Sequence, residues 1–89
     1  MTGDSYVDGN AVGGLLVELF GREMTDQHGC CDHCGAVNVL AAVHVYLDAP
    51  GTIIRCPNCE SVLIVIVRNP KSVRISFGEI RWLEDGNVT

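Results

Sequence analysis

Five cysteines in 89 residues are the part of this sequence best equipped for chemistry. Four of them form two pairs, Cys31-Asp32-His33-Cys34-Gly35 and Cys56-Pro57-Asn58-Cys59-Glu60, with 21 residues between the pairs. A gap of two residues lets a tight turn aim both sulfurs and several backbone N–H groups at one point. Two such turns give the tetrahedral four-thiolate shell that zinc accepts at about 2.3 Å. Gly35 suits the left-handed backbone that follows the second thiolate of such a knuckle, and Pro57 fixes the turn in the other. Glu60 stands where the matching glycine is expected, which makes the second knuckle less ideal. The expectation is one structural zinc ion held by Cys31, Cys34, Cys56 and Cys59.

Other chemistries fit the same spacing less well. A redox-active dithiol needs its CxxC at a helix N-terminus, where the dipole lowers a thiol pKa, whereas both pairs here run into strand-like sequence. An iron tetrathiolate centre of the rubredoxin kind uses the same knuckles. It is packed by an aromatic-rich core, and this chain has only Tyr6, Phe20, Tyr46, Phe77 and Trp82. Catalytic zinc needs an open coordination position, which four thiolates do not leave.

Cys30 is left over. It is either an alternative to Cys31, an exposed thiol, or a small residue tolerated where it stands. His28 and His33 flank the cysteines and read as supporting or solvent-facing groups, because four thiolates suffice. His44, alternating with valines, reads as a surface residue. Ser5, Ser61, Ser72 and Ser76 sit in no nucleophile elbow, and Gly13-Gly14 falls inside a helical pattern, not in a phosphate loop. The chain is therefore not expected to be an enzyme.

The elements that must position the cysteines follow from periodicity. Val12, Leu15, Leu16, Leu19 and Phe20 recur at spacings of three and four, predicting a short amphipathic helix over 10–20. Asp8 or Asn10 is its candidate N-cap and Gly21 its C-cap. Residues 1–9 read as a loose lead-in and 22–29 as a polar stretch. Val43, Val45 and Leu47 alternate with His44 and Tyr46 as in a half-buried strand. Asp48-Ala49-Pro50-Gly51 is a turn, and 52–55 leads extended into the second pair. Val62 to Val67 is apolar throughout, predicting a central strand covered on both faces. A turn at Asn69-Pro70-Lys71 leads to an amphipathic strand in which Val73, Ile75 and Phe77 alternate with Ser72, Arg74 and Ser76, and after Gly78 the residues Ile80 and Trp82 continue as an outer strand of opposite phase.

A chain this short makes one small domain, here 1–89, and its modest core favours stabilisation by a metal. Met1 to Asn10 carries Asp4 and Asp8 and no apolar run, and the longest aliphatic run is six residues. Neither a signal peptide nor a membrane span is read from it, so the expected compartment is the cytoplasm, where paired cysteines bind metal more often than they oxidise. The net charge of −5 is uneven. Seven acids against Arg22 occupy residues 1–49, while Arg55, Arg68, Lys71, Arg74 and Arg81 face only Glu60 and Glu79 in 50–82. Five scattered cations make a poor phosphate-binding patch, so nucleic acid is disfavoured as a partner.

Asp8-Gly9-Asn10-Ala11, Gly14-Leu15-Leu16, Leu19-Phe20 and Met24-Thr25, followed by Cys31-x-x-Cys34-Gly35, carry the first half of a resemblance. His44-Val45-Tyr46, Ala49-Pro50-Gly51, Arg55-Cys56-Pro57-x-Cys59 and Val67-Arg68 complete it. In this combination the chain resembles, over residues 7–83, a family of small actinobacterial zinc-ribbon proteins known as a domain of unknown function. It departs from that pattern at Cys30 and at Glu60, a position where the family has glycine. The resemblance implies no activity. It does imply genes for redox enzymes as neighbours, and so an oxidoreductase among the candidate partners.

The resulting expectation is a small α+β metal-bound domain: a zinc ribbon, with its antiparallel sheet and two CxxC knuckles over 28–84, plus the N-terminal helix. Its expected role is a protein-binding adaptor or accessory subunit, with Trp82, Tyr46 and Arg81 as candidate anchors unless the two aromatics merely complete the core. The alternatives are a rubredoxin-like iron electron carrier and a nucleic-acid-binding zinc ribbon.

Overall fold

The computed structural model describes residues 6–48 and 51–84. Among these residues, eight strands form two antiparallel sheets, accompanied by one α-helix. The strands are β1 (Val7–Asp8), β2 (His28–Cys31), β3 (Val37–Val39), β4 (His44–Asp48), β5 (Gly51–Arg55), β6 (Val62–Asn69), β7 (Ser72–Phe77) and β8 (Ile80–Leu83). The larger sheet has the order β1-β4-β5-β6-β7 and the smaller β3-β2-β8. The helix, α1, spans Gly13–Phe20.

One row of directly paired residues crosses the whole larger sheet: Val7, Val45, Ile54, Ile64 and Phe77. Paired residues in antiparallel strands share a face, so this row defines the core side. Its three middle members are buried, whereas Val7 and Phe77 at the edges are 39% and 58% exposed. Against this face packs α1, with Leu16 and the preceding Val12 buried and Leu15, Leu19 and Phe20 partly so. Glu18 on the helix pairs with Arg68 at 3.0 Å. The same apolar cluster takes in Met24, Leu40, Val43, Leu63, Ile66 and, from the cysteine pairs, Cys31 and Cys56. No helix among the described residues is long and apolar enough to cross a membrane.

Several expectations need correction. The helix starts at Gly13, and Gly9–Val12 is a tight 3-10 turn capped by Asp8 Oδ1, which accepts from the Asn10 amide at 3.1 Å. Close packing explains the tightness: a Cβ on Gly9 would lie 1.6 Å from the Leu40 carbonyl oxygen. Gly21 does close α1 in the left-handed conformation, at φ 77°. The lead-in is not wholly loose, because Val7–Asp8 pairs with β4. The polar stretch hides Met24, fully buried, and runs into β2.

β6 is fully covered on one face only. Ile64 and Ile66 are buried there, Val65 and Val67 on the opposite side are half-buried, and Leu63, also buried, is the extra residue at the register shift against β5. Ile80 and Trp82 do not share a face. A register shift between Cys30 and Cys31 sets Cys31 against Ile80 and Cys30 against Trp82, leaving Arg81 as the extra residue of a bulge. β8 thereby leaves the larger sheet and completes the smaller one. In the turn after β6, Asn69 Oδ1 accepts from the Lys71 and Ser72 amides at 3.0 Å. The turn expected at Asp48–Gly51 falls on residues 49–50, outside the described residues.

Two glycines test this packing in opposite directions. Gly9→Ala drives a methyl into the Leu40 carbonyl and should cost about 2 kcal/mol or more. Gly14 lies on α1, and a methyl placed there would have nothing within 4 Å, so Gly14→Ala should add about 0.5–1 kcal/mol. Chemical denaturation of the two variants checks both signs.

Candidate metal centre

The two cysteine pairs sit at the ends of two hairpins, β2–β3 and β5–β6, and the local chain path is the same in both. In the first, the Cys31 amide donates to the Ala36 carbonyl and the Gly35 amide to the Cys31 carbonyl, each at 2.9 Å. In the second, the Cys56 amide donates to Ser61 and the Glu60 amide to Cys56, again at 2.9 Å. The fifth residue of each turn is left-handed, Gly35 at φ 78° and Glu60 at φ 65°. The Asn58 amide points at Cys56 Sγ at 3.4 Å.

These matched turns bring the four sulfurs of Cys31, Cys34, Cys56 and Cys59 within 4.8 Å of one another. Cys31 and Cys59 are 3.7 Å apart, as are Cys34 and Cys56. A disulfide requires about 2.05 Å, so these are separate thiols. A tetrahedron with bonds of about 2.3 Å has edges of about 3.8 Å, and the two sulfur pairs match it. The arrangement is consistent with a bound metal ion.

The titration of the thiols reflects their crowding. Hydrogen bonds from the side chain and backbone of Ser61, whose Oγ is 3.3 Å away, draw Cys59 down to about 6. For Cys34 a hydrogen bond from the Ala36 backbone works downward, but burial and the sulfurs of Cys56, Cys59 and Cys31 outweigh it and push the thiol up to about 12. One negative sulfur forms readily and a neighbour resists joining it, as expected for like charges that share a site. A divalent cation removes that conflict.

Cys30 lies outside the cluster for a geometric reason. Successive strand residues point to opposite faces, and Cys30 precedes Cys31 on β2. Its sulfur lies 3.7 Å from the Cys31 carbonyl oxygen and 3.8 Å from that of Gly35, in a row with Val37 and Trp82. His28 is paired with Glu84 at 3.0 Å, and His33 is exposed. Neither histidine belongs to the cluster.

Sequence reasoning missed how the glycine-less knuckle is held. Glu60 is the one non-glycine residue with positive φ among the described residues, a conformation with a steric cost. Its carboxylate accepts from Tyr46 Oη at 2.8 Å and bonds His44 Nδ1, and its carbonyl accepts from Arg55 Nη1 at 2.8 Å. Tyr6 stacks on His44 with ring centroids 3.8 Å apart, and the Arg55 guanidinium lies 5.4 Å from the Tyr46 ring centre. Burial works to raise the Glu60 carboxyl pKa, yet the bonds from Tyr46 and His44 hold it below its usual range. His44 is thus a bracket for the knuckle, not a plain surface residue. The signal lay in the sequence as His44 and Tyr46 alternating on one face, combined with an acid in a glycine's place. Two further ties hold the knuckles: Asn38 Nδ2 to Asn58 Oδ1 and Arg81 Nε to Asp32 Oδ1, both at 2.9 Å.

Residues 3–87 match the model of a family described as Family of unknown function (DUF6510). The chain belongs to that family. Neither curated proteins nor solved structures give a match. The resemblance drawn from the sequence is met at this level, a family of unknown function spanning the chain. The DUF6510 chain accordingly has its cysteine cluster as the feature from which a function can be argued.

Glu60→Ala keeps the left-handed backbone and loses the bracket, and should lower stability by about 1 kcal/mol, a modest value because the carboxylate is half-exposed. Glu60→Gly should cost less, since glycine is unstrained at that φ. Thermal melts of the metal-loaded variants give the comparison.

Proposed function

We propose that this protein is a zinc ribbon whose one zinc ion, held by Cys31, Cys34, Cys56 and Cys59, is structural, and whose surface docks another protein. The convergence of four sulfurs within 4.8 Å of one another, two of the pairs at 3.7 Å, carries the reading. A shell of four thiolates leaves no coordination position for a substrate. The cavity between the sheets, lined by Cys31, Cys56, Leu40 and Ile80 among others, measures about 10 Å³ and has room for one water at most. The closed thiolate shell favours a non-enzymatic role.

Three of the cations are engaged within the chain, which disfavours phosphate binding. Arg68 pairs with Glu18, Arg81 with Asp32, and Arg55 with the Glu60 carbonyl. Of the three candidate anchors, Tyr46 and Arg81 are engaged within the chain, and Trp82 is 44% exposed. Val37, 51% exposed, lies in the same cross-strand row, with Cys30 between them. An exposed tryptophan beside an exposed valine is the kind of apolar anchor on which protein recognition depends.

Metal analysis with an absorption spectrum tests the first half. One zinc per chain and no visible band is the expected result, and a red ferric tetrathiolate would favour electron transfer instead. Zinc-finger peptides gain about 10–16 kcal/mol from zinc at neutral pH, so Cys56→Ser should leave the chain largely unfolded. Cys30→Ser should keep full zinc content, and loss of half or more would place Cys30 among the ligands.

The second half needs the partner, which pull-down from native cells with mass spectrometry would identify. Trp82→Ala should then abolish binding while the protein still folds and holds zinc. Normal binding by that variant, or tight binding of the wild type to RNA or DNA near 150 mM salt (order of physiological), would remove the adaptor reading.

A further inference from the structure

β7 is an edge strand, and among the described residues no strand pairs with its outer side. Asn69 and Ser72 face each other at the two-residue turn, which places the bonds to β6 on Ser72, Arg74 and Ser76. The same phase continues at Gly78, whose amide donates to the Leu63 carbonyl at 2.7 Å. The N–H and C=O groups of Val73, Ile75 and Phe77 therefore point away from β6, as an open template for another strand. These residues also carry the strand's apolar side chains, with Val73 42% and Phe77 58% exposed.

We propose that this edge pairs with β7 of a second copy of the chain, antiparallel about a two-fold axis at Ile75. In that register Ile75 faces Ile75, Val73 faces Phe77, and Arg74 faces Ser76. Every matched pair lies on one face, as antiparallel strands demand. All three outward residues meet their counterparts as hydrogen-bonded pairs. The apolar row that ends exposed at Phe77 continues onto Val73 of the other copy.

Charge selects this register over its neighbours. Shifting the axis to residue 74 sets Arg74 against Arg74, a destabilising pair, and shifting it to residue 76 sets Glu79 against Val73. With the axis at residue 75, Lys71 of one copy meets the end of the strand where Glu79 of the other follows. Neither side chain has an ion-pair partner among the described residues. The edge thus complements itself, apolar to apolar and acid to base, which is why a second copy is its occupant. The joined sheets form one sheet of ten strands, five from each copy. A single strand pair is a small interface, so the dimer is reversible and concentration-dependent. None of these residues is a cysteine, and the inference stands apart from the metal assignment.

Sedimentation equilibrium of the metal-loaded full chain, from low micromolar to roughly 1 mM, tests it. The mass should rise from 9.6 kDa toward twice that value. Val73→Pro removes an outward N–H and no bond to β6, so it should stay monomeric with unchanged circular dichroism. Val73→Glu and Phe77→Lys should each weaken the dimer. The double variant should restore it, because the introduced opposite charges face each other across the axis. If proline disturbs the fold, the charge variants decide. A wild type that remains a monomer throughout, a folded Val73→Pro that dimerises like wild type, or a double variant no better than the singles would each overturn the proposal.

Discussion

Everything in this fold turns on the meeting of two hairpin ends at one point. Each knuckle is closed by its own pair of backbone hydrogen bonds, and the smaller sheet meets the larger where Cys31 and Cys34 approach Cys56 and Cys59, with the Asn38–Asn58 bond and the shared apolar cluster beside them. Cys31 and Cys56 also belong to the apolar cluster that α1 seals. The sulfur site and the core are thus one packing unit. A chain of this length has little apolar area to spare, and the metal ion proposed for that junction would substitute for a second layer of core.

The supports around that junction are unequal. The first knuckle uses glycine for its left-handed residue and is tied down by Asp32 to Arg81. The second uses glutamate, and its side chain is gripped by His44 and Tyr46 from the neighbouring strand. Strain at one backbone position is offset by hydrogen bonds that also secure β1, through Tyr6 on His44. A departure from the expected residue type therefore brings a local network with it, and that network knits the N-terminal strand to the sulfur site.

How much of this was legible beforehand depends on the range of the signal. The four clustered cysteines, the C-cap at Gly21 and the strands around Val45 and Ile64 follow from spacing and alternation, which are local. The smaller sheet was not legible, because β2 and β3 span four and three residues, too short for a pattern to register. The bulge at Arg81 reverses the phase of Trp82, and nothing within β8 announces it. Met24 gave no periodic signal, being a lone apolar residue in a polar stretch whose burial is decided by elements distant in sequence. The bracket on Glu60 lies between: its parts were visible, but their meeting required the register of β4 against β5.

The pairing of β2 with β8 has a consequence for how the chain reaches this state. β4, β5, β6 and β7 follow one another as a meander, so the second knuckle can organise from neighbouring segments with short loops to close. The smaller sheet needs Trp82 to find Cys30 across some fifty intervening residues, and closing a loop of that length has an entropic cost. Contact order is therefore split within one small molecule. The meander with Cys56 and Cys59 closes only short loops, whereas the first knuckle has its full sheet only when the last strand is in place.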